Sequence, residues 1–287
     1  MAKKAKKAAK KAAPKKAAKK AAPKKKQGFQ GVRHAFIIIV IAFIVGWAFY
    51  NYILGDPANF ANGDHAGHPL NMLGTIYKGG WVVPIIFGLL CTVIAMSVER
   101  TIAISACSGK GNVGKFAEDV KAALKNGDID KAEELCNKQQ GSVANVVLAD
   151  LRSYRKMETA PIKMKEKVLT IQNAHDEATA LEMPTMTMNL PIIATIVTLG
   201  TLTALFGTVL GMIRSFAALA AGGGADSMAL STGISEALVN TASGIATSWV
   251  SVVAYNYFTN KIDKLTFAMD EISYTLVHTF EEKHPEA

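Results

Sequence analysis

Four long apolar segments stand out from the polar remainder of the chain. The first, Ala35 to Leu54, is 20 residues long. As a helix it would measure roughly 30 Å, which is enough to cross a bilayer. A second apolar run covers 81–98, and two more begin at Leu190 and Met228. The pattern predicts an all-α integral membrane protein with four transmembrane helices.

The segments between these runs differ sharply in charge. The stretches before the first run, between the second and third, and after the fourth carry nearly all the Lys and Arg, whereas 55–80 and 222–227 carry one Lys between them. Positive loops stay in the cytoplasm, so both termini are predicted to be cytoplasmic. Amphipathic patterns between spans two and three, broken at Gly127 and Gly141 and resumed until Pro184, predict a helical cytoplasmic domain in which Asp128 is an N-cap.

We therefore expect nine segments. They are a polybasic cytoplasmic tail, an N-terminal anchor, a periplasmic loop, a second span, the cytoplasmic domain, a third span, a periplasmic turn, a fourth span and a C-terminal cytoplasmic helix, at 1–34, 35–54, 55–80, 81–98, 99–189, 190–221, 222–227, 228–258 and 259–287 respectively.

The formal charge of +9 comes entirely from the tail. Residues 1–34 hold 14 of the 32 Lys and Arg residues and no acid, while the rest of the chain has 18 basic and 23 acidic side chains. Such an Ala/Lys/Pro segment has little to bury and is predicted to be disordered. Because a span follows at once, we expect it to bind anionic lipid headgroups, each Lys contributing about 1 kcal/mol. Nucleic-acid binding is the less favoured alternative.

Known enzyme signatures are missing from the sequence. It has no phosphate-binding loop, dinucleotide fingerprint, nucleophile elbow or metalloprotease helix. Cys91, Cys107 and Cys136 lack metal-ligand spacing, and His65 and His68 more simply belong to a loop. We expect neither an enzyme nor a metal or organic cofactor.

The fourth apolar run carries a polar stripe. At about 100° per residue, its members fall within an arc of about 80°, and they are Glu236, Asn240, Ser243, Thr247 and Ser251. An acid in a membrane helix usually faces a cavity, a partner or a proton path. Glu236 could instead lie near the outer interface, and hydroxyls often bond to their own helix.

Hairpin register adds a second expectation. Thr201 and Thr208 share one face of the third span. Thr208 precedes Ala221 by 13 residues and Thr241 follows Met228 by 13. In an antiparallel hairpin across the 222–227 turn, Thr208 and Thr241 should therefore meet at about the same depth.

These two spans resemble the paired membrane segments of the MotA/TolQ/ExbB proton-channel family, and the ExbB/TolQ branch most. The specific blocks are Phe-Gly-Thr-Val-x-Gly-Met-Ile at 206–213 and Ile-Ser-Glu-Ala-Leu-x-x-Thr at 234–241, and the resemblance covers roughly 79–260. The family usually has Ala-Pro before the Gly-Thr block, where this chain has Gly200-Thr201. We expect a local change in the helix there, since a proline kink is lost.

The resemblance implies a pentameric ring in the bacterial inner membrane, with protons as the coupling ion. A dimer of ExbD-like or TolR-like proteins, each with one membrane helix and an essential aspartate, would thread the pore. The family's pore threonines match Thr208 and Thr241, and its membrane glutamate matches Glu236. Together with the polar stripe, the predicted proton pathway and pore lining comprise Thr208, Thr241, Glu236, Thr201, Asn240, Ser243 and Thr247.

The leading hypothesis is an ExbB-like motor subunit that energises TonB-dependent outer-membrane transport through a TonB-like protein. A TolQ-like motor for envelope integrity and division, or a gliding or secretion motor, is the alternative within the family. A non-conducting membrane scaffold, whose stripe serves only subunit packing, is the alternative from another class.

Overall fold

The computed structural model describes residues 35–65, 67–221 and 227–284. The polybasic tail, most of the predicted 222–227 turn and the last three residues lie outside the described residues. Within that part the chain folds into helices without a β-strand, apart from one isolated bridge between Phe60 and Pro69. The helices are α1 (Ala35–Phe49), α2 (Met72–Tyr77), α3 (Val82–Ser108), α4 (Val113–Lys125), α5 (Ile129–Gln139), α6 (Gly141–Glu158), α7 (Met164–Thr187), α8 (Leu190–Ala221) and α9 (Ser227–Lys283).

Four of these helices are long and apolar enough to cross a membrane. Their candidate spans lie in Ala35–Leu54, Val82–Lys125, Leu190–Ala217 and Leu230–Lys283. The first is completed by a π-helical turn, Tyr50–Leu54, that continues α1. The chain is thus a multi-pass membrane protein, as the apolar pattern predicts.

The helix α9 corrects one expectation. The sequence suggested a span ending near Phe258 and a separate final helix, but α9 is a single helix of 57 residues. Its length is about 86 Å, nearly three times the thickness of a bilayer core. No glycine or proline occurs between Ile245 and Lys283, so nothing in the sequence interrupts the helix. The fourth span and the predicted C-terminal helix therefore form one continuous helix.

The C-terminal end of α7 corrects a second expectation from the sequence. The helix was expected to end near Pro184, yet it continues to Thr187. Proline removes one backbone donor, and here the last turn is kept because Met188 N donates to Pro184 O at 3.0 Å. Helix α7 ends there, and Asn189, whose φ of 64° is in the left-handed region, separates it from α8. Similarly, α3 continues ten residues past the predicted end of its span, to Ser108.

The helices α4–α7 pack with the distal parts of α3 and α9 around one large apolar core. The predicted N-cap is confirmed, since Asp128 accepts a hydrogen bond from Lys131 N at 2.9 Å. Gly127 and Gly141 both have positive φ at helix boundaries, which explains why the pattern breaks there.

A charged network joins three helices of this domain, with Asp150 and His175 buried and Asp270 exposed. His175 on α7 hydrogen-bonds through Nδ1 to Asp150 on α6 at 2.9 Å and through Nε2 to Asp270 on α9 at 3.1 Å. Burial alone would lower the pKa of His175, but these two carboxylates raise it to about 9. A protonated His175 therefore ties three helices together and holds α9 to the domain.

Candidate functional site

A seam of small residues joins α8 to α9, the most extensively paired helices of the fold. Every member is buried and follows the previous one on its helix by three or four residues, the spacing that keeps one face towards a partner. The members are Gly200, Ala204, Gly207, Gly211 and Ser215 on α8, and Gly233, Ala237, Asn240, Gly244, Thr247 and Ser251 on α9. Small residues let membrane helices approach closely and pack by van der Waals contact.

Two hydroxyl groups bridge the helices beside this seam. Thr208 Oγ1 and Thr241 Oγ1 lie 2.5 Å apart, which confirms the predicted register of the hairpin. Each hydroxyl also reaches a carbonyl of its own helix, Thr208 at Ala204 O (2.9 Å) and Thr241 at Ala237 O (3.1 Å). Both side chains are half-buried, so the pair lies at the edge of the subunit. A hydroxyl both donates and accepts, which is what a site that handles protons or water requires.

Glu236 forms an ion pair across the hairpin. Its Oε1 accepts a hydrogen bond from Arg214 Nη1 at 2.6 Å, and the Glu236 side chain is 12% exposed against 50% for Arg214. Gly80 lies directly over the carboxylate, since a Cβ at that position would overlap Glu236 Oε1. The acid is therefore fixed between α8 and the turn that precedes α3.

Sequence reasoning missed Arg214, although the hairpin register contained the signal. Thr208 pairs with Thr241, so a position six residues later on α8 faces one about six residues earlier on α9. That rule places Arg214 opposite Ser235 and Glu236, where the structure has the ion pair. Gly80 was invisible to this reasoning because it comes from a distant part of the chain.

The rest of the predicted stripe lies inside the subunit. Asn240 and Thr247 are fully buried in the seam, and Ser243 is half-buried. Thr247 Oγ1 donates to Ser243 O at 3.0 Å, the bond to its own helix that is common for membrane threonines. Asn240 packs on Gly207, where a Cβ would meet its Cγ at 2.9 Å, and neither Oδ1 nor Nδ2 has a hydrogen-bond partner.

Thr201 occupies a different place from Thr208. It is exposed, donates to Val197 O at 3.0 Å and lies 3.4 Å from Ser248 Oγ on α9. Helix α8 runs without interruption through this position, as expected where no proline is present. The part that these residues play in proton transfer stays a prediction, whereas their grouping along one hairpin is observed.

The α8–α9 hairpin lies within a segment whose sequence matches a known protein family. Residues 140–271, which run from α6 into the distal part of α9, match the profile of the MotA/TolQ/ExbB proton channel family. This segment, which is somewhat less than half of the chain, is therefore similar to that family. The matched segment contains Thr208, Arg214, Glu236 and Thr241, and α1 lies outside it.

Individual proteins are similar to parts of the chain. The chain is 36% identical over 93 residues to the biopolymer transport protein ExbB of Helicobacter pylori, covering 32% of this chain and 63% of that protein. It is 29% identical over 148 residues to the Tol-Pal system protein TolQ of Pseudomonas aeruginosa, covering 49% and 64%. A TolQ from Haemophilus influenzae is 24% identical over 201 residues, covering 68% and 87%. The first relatives are matched over 33% to 64% of their own length.

Proposed function

We propose that the chain is the ring-forming subunit of a proton-driven motor in a bacterial inner membrane, with an ExbB-like role. The observation that carries the proposal is the half-buried hydroxyl pair of Thr208 and Thr241, 2.5 Å apart in a hairpin of the proton channel family. In the motor, a pentameric ring would surround an ExbD-like or TolR-like partner with one membrane helix and a membrane aspartate. A TonB-like protein would carry the work to the outer membrane.

The apolar surface of the hairpin is compatible with assembly into a ring. Large side chains on α8 and α9 are exposed on the single chain, among them Leu202, Leu205, Phe206, Leu238 and Trp249. Lipid covers such residues as readily as a neighbouring subunit does, so they fit either a membrane-facing or a subunit-facing surface. The hydroxyl pair would then lie where the surfaces of neighbouring subunits meet the partner helix.

In this motor, Thr208 and Thr241 would need only to form hydrogen bonds. A proton that falls through 100 mV releases about 2.3 kcal/mol, which the motor must convert into movement of the partner. Thr208 and Thr241 would orient water or the partner's aspartate by donating and accepting hydrogen bonds. Glu236 would hold or relay the proton at the periplasmic end. Since no substrate is transformed in this scheme, the proposal is a motor subunit and not an enzyme.

The test is proton flux through the complex purified with its natural partners and reconstituted into liposomes. Thr208→Val keeps the shape of the side chain and removes the hydroxyl, so flux should fall about tenfold or more. Thr195→Val is the matched control, because Thr195 is an exposed threonine of α8 whose hydroxyl donates to Pro191 O of its own helix. This variant should conduct normally. A wild-type complex that assembles but passes no protons would overturn the motor and favour a non-conducting scaffold.

A TolQ-like role in envelope integrity and division is the second candidate, because two of the relatives are TolQ proteins. The two roles differ in their partners. Mass spectrometry of the tagged protein, extracted from its own membranes in mild detergent, should identify a short single-span protein with a membrane aspartate at less than one copy per ring subunit. TonB-like proteins beside it would select the ExbB-like role, and Tol-like proteins the other.

A further inference from the structure

The ion pair between Arg214 and Glu236 has a geometry that packing alone does not require. The carboxylate is largely buried at 12% exposure, while the guanidinium that holds it is half exposed. Arg214 lies seven residues before the end of α8, or about 10 Å along the helix. The pair thus connects the surface of the hairpin near its 222–226 connection to an acid inside it.

Placing the charged side chains of Arg214 and Glu236 in membrane helices costs free energy of insertion, which suggests that they have a function. An Arg or an acidic residue in a membrane helix costs roughly 2.5–3.5 kcal/mol on insertion scales, although less near the interface. If the pair only held α8 to α9, a hydrophobic contact could replace it at no loss, and the small-residue seam already joins the two helices. Pairing does, however, keep a charged Glu236 in one orientation.

We propose that Arg214 is a positioning residue for proton transfer, which fixes the Glu236 carboxylate beneath Gly80 at the outer end of the hairpin. The inference rests on the proposed function. Arg214 holds Oε1 by a charge-assisted hydrogen bond and leaves the other carboxylate oxygen to exchange protons. The half-exposed guanidinium keeps the site in contact with water while the acid remains inside the subunit.

Conservative substitutions of Arg214 test whether it positions Glu236 or only stabilises the packing of α8 on α9. Arg214→Gln removes the charge but keeps a donor, whereas Arg214→Lys keeps the charge and loses the planar fork. The contact uses one guanidinium nitrogen only, so a lysine can replace it. A positioning role therefore predicts that Lys restores function and Gln does not.

The experiment measures proton flux per assembled complex in liposomes, after gel filtration has verified assembly. Arg214→Gln should lower flux about tenfold, and Arg214→Lys should stay within about threefold of wild type. Arg155→Gln, which breaks exposed ion pairs of the helical domain with Asp130 and Glu133, is the matched control and should conduct normally.

A double-mutant cycle shows whether Arg214 acts through Glu236. The double variant Arg214→Gln with Glu236→Gln should conduct no less than Glu236→Gln alone, because the arginine has nothing left to position. Normal flux in Arg214→Gln would overturn the inference, and so would losses that multiply in the double variant. Failure of the proposed function looks different: the Thr208→Val and Glu236→Gln variants would then conduct like wild type, or no complex would conduct.

Discussion

Replacing Gly244 by alanine tests whether the small-residue seam holds the hairpin together. A Cβ at position 244 would overlap the Cβ of Ala204 and lie 2.6 Å from Gly200 O and 3.3 Å from Ala204 Cα. Two of these three atoms belong to the α8 backbone and the third is fixed to it, so no side-chain rotation relieves the clash. The helices must separate around position 244, less than one turn from Thr241.

Two opposing terms decide the size of the effect. Alanine is a better helix former than glycine by up to about 1 kcal/mol, which would stabilise α9. Overpacking a closely packed contact costs about 1–3 kcal/mol. Because this clash is with backbone that cannot rotate away, the cost lies in the upper half of that range, about 2–3 kcal/mol, and the balance is a destabilisation of about 1–2 kcal/mol. For a chain of this size 1 kcal/mol corresponds to about 2–4 °C, so the melting temperature should fall by about 2–8 °C.

The assay is thermal unfolding of the detergent-solubilised protein, followed by circular dichroism. Ala246→Val is the matched control, because it adds carbon to an exposed position of the same helix and should melt within 1–2 °C of wild type. An unchanged or raised melting temperature in Gly244→Ala would show that the helices are not in close contact here. The seam would then not be what holds α8 and α9 together.

Two further predictions concern buried polar groups. Folding raises the pKa of His175 to about 9, so the protonated imidazole should stabilise the fold fully below the unfolded pKa of about 6.5 and lose this effect as the pH rises through 9. The melting temperature of the wild-type protein should therefore fall between pH 6.5 and 9. The melting temperature of His175→Asn should fall less over the same range. Equal slopes would contradict the protonated network. Asn240→Leu removes an unpaired buried amide at similar volume, so it should raise the free energy of unfolding by about 1–3 kcal/mol in denaturant titrations, and a decrease would mean that the amide has a partner.

Hairpin register was the most informative part of the sequence. An antiparallel pair of helices with a short connection leaves little freedom in depth, so counting residues from the turn places Thr208 beside Thr241. The same count reaches Arg214 and Glu236. Arg214 was missed because the register was counted only for the threonines and was not extended to the charged residues.

Periodicity was less informative about what covers a polar face. It showed that Asn240 and Thr247 share one side of α9, but lipid exclusion alone does not distinguish a pore from a packed neighbour. The neighbour is α8, and the signal was the series of small residues on α8, Gly200, Ala204, Gly207 and Gly211, spaced three and four residues apart. The continuation of α7 past Pro184 was missed for another reason: a proline in a last turn costs the helix a single bond, which position alone does not reveal.

Helix α9 carries two kinds of polar residue, which differ in their surroundings: some are buried in the seam and others lie beside it. Asn240, Thr247 and Ser251 are buried in the seam, and Asn240 packs directly against Gly207. Thr241 lies beside the seam, half-buried, with its hydroxyl bridging to Thr208. A subunit whose helices are locked in this way is poorly suited to large internal motion, and the single rod of α9 extends the rigidity into the helical domain, where His175 holds it. In the proposed motor, protonation of the partner's aspartate beside Thr208 and Thr241 would therefore move the partner against a rigid protein and would not change the shape of that protein itself.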